Sequence, residues 1–378
     1  MGRYTLLTEA IVDEVLEGQL QQIVEAIRST HPATEAVLLV GGFGRGEGSA
    51  VLQDGAVRAL NDYDILVISP EGAGRESLQK LSPRLAESLG MDFVDIGLWS
   101  PESLEHLPPT IFNYDLKHGA RVLFGDPCCL DRIPPFDSTQ IPPWEGVQLL
   151  LNRMAGLLGG FRLRESPPGV EPREPQYFRN QVVKALLACS DALIAQAGEY
   201  RHRYVDRREI FRRWARGGKA VWLEPEVATR IDEAYGEKLE PGSAPWANDV
   251  ALMVGSLPAL EQVFLRCLSR YLNRGVSRVE EVAECYLRHH RVGRLASLLS
   301  RVKPCAGVVP RHVVYACLPL VLFSLPLLRA DRSALAGQAQ GLLRGRGNGD
   351  LQPDCSSGGS WETLRQMCVR LWERHCHG

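Results

Sequence analysis

The chain has 378 residues, 45% apolar and 23% charged, with a formal net charge of −2. That length provides for two or three domains around a substantial core, and that balance excludes a disordered chain, a fibrous repeat or a polycation drawn to nucleic acid by charge alone. The ten cysteines include no CxxC pair, and the acidic, helical start MGRYTLLTEAIVDEVLEG lacks the apolar core of a secretory signal, so reduced thiols and a cytoplasmic location are expected.

In chain order, residues 9–29 repeat at helical spacing, and EAVLLVGG (35–42) reads as a buried strand entering a turn. AVLQDGAVRAL (50–60) places Asp54-Gly55 between short apolar runs, the composition of a tight hairpin. YDILVIS (63–69) is the next strand, 74–89 a helix, DFVDIGLW (92–99) a strand, and ARVLFG (120–125) an edge strand before Asp126-Pro127. This alternation predicts an α/β (α+β) head with a small mixed sheet over residues 1–130. LDRIPPFDSTQIPPW (130–144) is a proline-rich connector, and RLRESPPGVEPREPQ (162–176) reads as an exposed loop between helical stretches. An α-helical domain is expected over 131–343. Within it VVYACLPLVLFSLPLL (313–328) is shorter than the roughly 20 residues of a spanning helix and carries Pro319 and Pro326, so a buried, kinked helix is expected rather than membrane insertion. Residues 344–378 read as a flexible linker and a short C-terminal helix, dispensable for catalysis.

The chemistry concentrates in VGGFGRGEGS (40–49) and LNDYDILVIS (60–69). Residues two apart on a strand point the same way, so Asp62 and Asp64 present their carboxylates to one side. Such a pair repels itself unless a cation intervenes, and Mg²⁺ prefers one or two carboxylates plus substrate phosphates. Gly41, Gly42, Gly44 and Gly46 free the backbone N–H groups of the turn to approach phosphate oxygens, and Arg45 adds a charged donor. Metal ligands and phosphate donors in this arrangement suit a nucleoside triphosphate and its magnesium, or manganese in its place.

A Gly-Gly turn after a first strand, a D-x-D strand and a further carboxylate on a neighbouring strand resemble the nucleotidyltransferase fold of the DNA polymerase β superfamily. GGFGRGE is similar to the turn of the uridylyltransferase that modifies a nitrogen-signalling regulator. VDIGLWSPE (94–102) resembles the third-carboxylate strand of kanamycin nucleotidyltransferase, with Asp95 in the acidic position, and HGARVLFGD (118–126) the edge strand that closes the domain in small-molecule nucleotidyltransferases. The chain departs from the pattern twice. The Gly42-to-Asp62 spacing is long, which the Asp54-Gly55 hairpin accounts for, and Gly42 stands where serine is common, leaving Ser49 to supply a hydroxyl contact. The resemblance implies Asp62, Asp64 and Asp95 as metal-binding and catalytic residues, Asp95 also helping to deprotonate an acceptor hydroxyl. Asp92, three positions before Asp95, would face the opposite side of a regular strand. The resemblance further implies that a lysine of the second domain reaches the triphosphate, for which Lys184 is the candidate; a lysine snorkelling from a half-buried helix has the same appearance.

The activity so implied is transfer of a nucleoside monophosphate, AMP from ATP foremost, to a hydroxyl of a small molecule or protein. The alternatives are a toxin-like transferase acting on tRNA ends and an inactive nucleotide-binding regulatory protein. DRREIFRRWARGGKAVW (206–222) mixes basic and aromatic residues as single-stranded RNA binders do, although at helical spacing the same residues make a solvated face with a buried aromatic stripe, and Asp206 and Glu209 dilute the charge. The Arg370-x4-His375 spacing resembles an RNase motif of helical partners of minimal nucleotidyltransferases, and Cys368, His375, Cys376 and His377 are potential metal ligands.

Overall fold

The computed structural model describes residues 2–70, 74–91, 93–165, 168–290, 310–326, 332–344 and 360–376. The chain forms two compact units. The first comprises residues 1–142, 197–222 and 232–245, and the second 143–196, 223–231 and 246–378. The division is interleaved, whereas the expected domains were consecutive blocks: two segments beyond residue 196 return to the α/β unit.

The first unit opens with α1 (Ala10–Thr30), whose Val12, Leu16, Leu20, Ile23 and Ile27 form a buried stripe at helical spacing. Its sheet is mixed and four-stranded, in the order β5-β4-β1-β6, with β1 at Ala36–Leu39, β4 at Tyr63–Ile68, β5 at Val94–Trp99 and β6 at Arg121–Phe124. β4 pairs antiparallel with β1 and parallel with β5. Tyr63, Ile65, Val67 and Val94 share one core with α1 and α3 (Arg75–Leu89), which fixes one face of the sheet as apolar. The predicted hairpin is present as β2 (Ala50–Gln53) and β3 (Ala56–Ala59), with Asp54 and Gly55 both at positive φ, the conformation that Asp-Gly accepts in a two-residue turn. α4 (Pro101–Glu105) and α5 (Ile111–Gly119) lead into β6, and α8 (Tyr204–Ala215) belongs to the same unit. Asp92 lies outside the described residues.

The second unit contains α6 (Pro143–Gly160), α7 (Pro175–Gln196), α10 (Asp249–Leu272), α11 (Val279–His289), α12 (Pro310–Phe323), α13 (Ser333–Arg344) and α14 (Trp361–His375). α9 (Pro225–Leu239) begins in this unit and ends in the first. The stretch expected to be a loop is a hairpin, β7 (Phe161–Glu165) with β8 (Pro168–Pro172), its alternating pattern fastened by an Arg162–Glu171 ion pair. Val313–Phe323 is buried throughout despite Pro319, as expected for a core helix. Among the described residues α10 alone is long and apolar enough to cross a membrane, yet Leu252, Leu257, Leu260, Val263, Phe264 and Leu268 are buried within the unit.

α14 is built into this unit and is not an appendage. Leu364, Arg365, Cys368 and Leu371 are buried, and Arg365 forms a paired hydrogen bond to Glu362 and donates to the Leu158 carbonyl of α6. Arg370 and His375 are five residues apart on that helix, about 140° around its axis, so they do not form one site. His377 and most of 344–359 fall outside the described residues.

Candidate functional site

The parallel register of β4 and β5 sets Asp64 directly beside Asp95, with Tyr63 beside Val94 and Ile65 beside Ile96. The two aspartates therefore share the face opposite the apolar core, and Asp62, two residues before Asp64, precedes it on the same side. Asp62 and Asp95 are exposed and Asp64 is half-buried.

The glycine turn closes over this edge. Residues Gly41–Gly44 form α2, a single helical turn that follows β1 directly, and the Val40 amide donates to the Asp64 carbonyl at 2.9 Å. Gly41 has φ +63°, and a Cβ placed there would lie 1.8 Å from Asp64 Oδ2. The backbone thus runs against the carboxylate as only glycine permits. Gly42 packs near the Glu47 backbone, Gly44 sits within a Cβ's reach of the Leu39 carbonyl, and Gly46 again takes positive φ; contrary to expectation, the Gly44 and Gly46 amides already donate to the Val40 and Phe43 carbonyls at 3.1 and 3.2 Å. Phe43 anchors the turn, buried with its ring 4.8 Å from that of Tyr63.

The turn also gathers charge. Ser49 is buried, donates to the Lys238 carbonyl at 3.2 Å and accepts from Lys238 Nζ at 3.4 Å, while Asn61 Oδ1 accepts from the same ammonium at 3.3 Å. Burial, and then the Arg45 cation, push the Lys238 pKa down to about 8, against the opposing pull of Asp64, Asp62 and Glu47. The lysine brought to the aspartates in this unit is therefore Lys238, at the end of α9. Lys184 lies on α7 in the other unit, with Val183, Ala185, Leu186 and Leu187 buried around it.

Arg45 is committed to structure. Its Nη1 pairs with Asp115 Oδ2 at 3.1 Å, and its guanidinium lies 5.2 Å from the Tyr204 ring centre. Glu47, 1% exposed, accepts from the Tyr204 and Val205 amides at 2.7 and 3.1 Å. A carboxylate at the first turn of α8 satisfies donors that the helix leaves open and complements its dipole. Buried Arg207 of α8 donates to the Tyr200 hydroxyl at 2.7 Å, and that hydroxyl donates to Asp115 at 3.4 Å. The site turn, α5 and α8 are thereby tied into one polar network.

The basic helix is largely neutralised within its own unit. Arg208 and Arg212 both grip Asp232, and Arg213 and Lys219 pair with Glu199. That leaves little unpaired charge on α8 for an RNA backbone.

The donor set of Asp62, Asp64 and Asp95 is all oxygen, which fits Mg²⁺ or Mn²⁺ and not a thiolate-seeking metal. Among the described residues no group of three or more His, Cys, Asp or Glu side chains is placed to hold a metal ion by itself, the three aspartates included; Mg²⁺ needs only one or two carboxylates when substrate phosphates complete its shell. Sequence reasoning missed Lys238, Asn61 and the capping role of Glu47. Glu47 stood in the quoted motif, and Asn61 beside Asp62, but nothing in GEKLE (236–240) marks Lys238 as a site residue. Comparisons of the chain with family models, curated proteins and solved structures return no match, so the functional reading rests on this geometry.

Proposed function

We propose that this protein is a divalent-metal-dependent nucleotidyltransferase that moves a nucleoside monophosphate, AMP from ATP foremost, onto a hydroxyl of a small molecule or protein and releases pyrophosphate. The observation that carries this reading is the in-register Asp64–Asp95 pair beneath a glycine turn whose backbone touches Asp64. Asp62 and Asp64 would hold Mg²⁺ or Mn²⁺, with Asp95 completing the set; the ion supplies charge neutralisation at the transferring phosphoryl group. The amides at the start of α2 would be the donors nearest a triphosphate held at the aspartates, and Lys238, bonded to Ser49 and Asn61, would add a nearby cation. Asp95, exposed and unneeded by the core, accepts the proton of the acceptor hydroxyl as the new bond forms. Free thiols and a triphosphate substrate suit a reducing, cytoplasmic setting.

Two measurements test the reading. Titration calorimetry with Mg-ATP should give binding to the native chain and none to a folded Asp62→Asn/Asp64→Asn variant; equal affinity would remove the metal role of the pair. Incubation with each α-labelled triphosphate and cell extract should then place label on a metabolite or protein. Label on RNA would move the acceptor to tRNA ends, and binding without pyrophosphate release would make the protein a nucleotide sensor.

A further inference from the structure

The second unit holds an aromatic and imidazole cluster that the nucleotidyl-transfer reading does not use. Trp144 of α6 packs against five rings from three other helical segments: Tyr271 of α10, Tyr286 and His290 of and just after α11, and His312 and Tyr315 of α12, with centroids 5.3–6.5 Å away. At its centre His290 and His312 stack face to face, centroids 3.9 Å apart and 17° from parallel. His312 Nδ1 is hydrogen-bonded to the Tyr286 hydroxyl at 2.8 Å, and His290 Nε2 meets the Tyr271 hydroxyl at 3.4 Å.

We propose that this stacked pair makes the α11–α12 contact sensitive to protonation, so that the helical unit loosens as the pH falls below neutral. Two imidazoles at that spacing tolerate each other while neutral. One proton puts a cation against the partner ring, and two put like charges in van der Waals contact. Among the described residues, the charged groups that shift the pair, Arg311 and His289, have the wrong sign to compensate. Arg311 flanks both rings and His289 adjoins His290, while the groups around them on α6, α10 and α12 are Trp144, Tyr271 and Tyr315. The joining sequence 291–309 carries four basic residues and no acid.

The titration direction agrees with the geometry. Burial first, then His312, His289 and Arg311, lower the His290 pKa to about 4, and burial with Arg311 lowers that of His312. An unfolded histidine takes up its proton near pH 6.5, whereas the folded pair resists, so stability is complete above that pH and is shed as pH falls toward 4.

The test uses the full chain at pH 7.5 and pH 5.0, in native form and as His290→Phe and His312→Gln. Phenylalanine keeps the stack without a titrating group, and glutamine keeps an acceptor for the Tyr286 hydroxyl if the first variant folds poorly. Amide protection across α11 and α12, taken relative to the intrinsic exchange rate at each pH, should fall at least tenfold on acidification of the native chain and by less than half that factor in either variant. Histidine ring signals followed by NMR should place both rings below the ordinary histidine range, with His290 near 4. An identical loss of protection in native and variant chains, or either ring titrating near 6.5, would overturn the proposal.

Discussion

On the proposed nucleotidyl-transfer reading, Asp95 would be separable in role from the D-x-D pair, since it comes from a different strand. Asp95→Asn should lower transfer turnover by roughly two orders of magnitude or more, the scale of losing a group that acts in the transition state, while Mg-ATP affinity stays within a few fold. Steady-state kinetics beside calorimetry checks both halves, and a variant that loses binding and turnover together would assign Asp95 to ground-state metal binding. Lys238 gives a pH signature. In the free protein its ammonium loses its proton near pH 8, and a triphosphate favours the charged form. Binding above that pH therefore requires proton uptake, and affinity should fall by up to about tenfold per unit as pH rises from 8. Lys238→Ala should bind more weakly below pH 8 and show a flatter profile; an unchanged profile in the variant would remove Lys238 from the phosphate site.

At the scale of elements, the C-terminal helix shows how a short amphipathic segment escapes a compositional reading. The linker residues before it are polar and glycine-rich, which suggested a dispensable tail, yet α14 buries Leu364, Cys368 and Leu371 and seats Arg365 against Glu362 and the Leu158 carbonyl. The Trp361 indole also donates to Ser324, and that of Trp372 to Asn152. Truncation before Arg344 should lower the thermal midpoint of the helical unit by roughly 10 °C or more, from the apolar area re-exposed. Differential scanning calorimetry reads this, and an unchanged midpoint would mean that α14 is only loosely docked. Arg365→Met removes the cation but leaves the Glu362 carboxylate among its neighbours, and is expected to cost a large part of the same loss.

At the scale of the whole molecule, the interleaving of the units has a consequence for fragments. A fragment of residues 1–142 keeps the strands, the turn and all three aspartates but loses α8 and the end of α9. Glu47 is then a buried carboxylate without the Tyr204 and Val205 amides, Asp115 loses Tyr200, and Ser49 loses Lys238. That fragment should aggregate or show molten behaviour, whereas the full chain should keep fixed tertiary structure; near-ultraviolet circular dichroism and dye binding distinguish the two. A fragment with sharp tertiary signals would show that the sheet and α1 carry the first unit unaided.

The strands of the first unit, its Asp-Gly hairpin and the facing of the carboxylates were legible in the sequence because they depend on neighbours, whereas the β7–β8 hairpin was hidden by its prolines. Alternation fixes which side Asp62, Asp64 and Asp95 take, Asp54-Gly55 fixes its turn, and the glycines announce a close backbone approach. The run of apolar residues 313–323 likewise read as buried. Partnership across the chain was not legible. Lys238 reaches the aspartates only because α9 ends in the first unit, Arg45 is held by Asp115 and not free for phosphate, and the α8 arginines are neutralised by Asp232 and Glu199. Local sequence sets which conformations a segment prefers, but the partner of a charge is chosen by the tertiary fold, because burying it demands a counter-charge or donor from wherever the chain brings one.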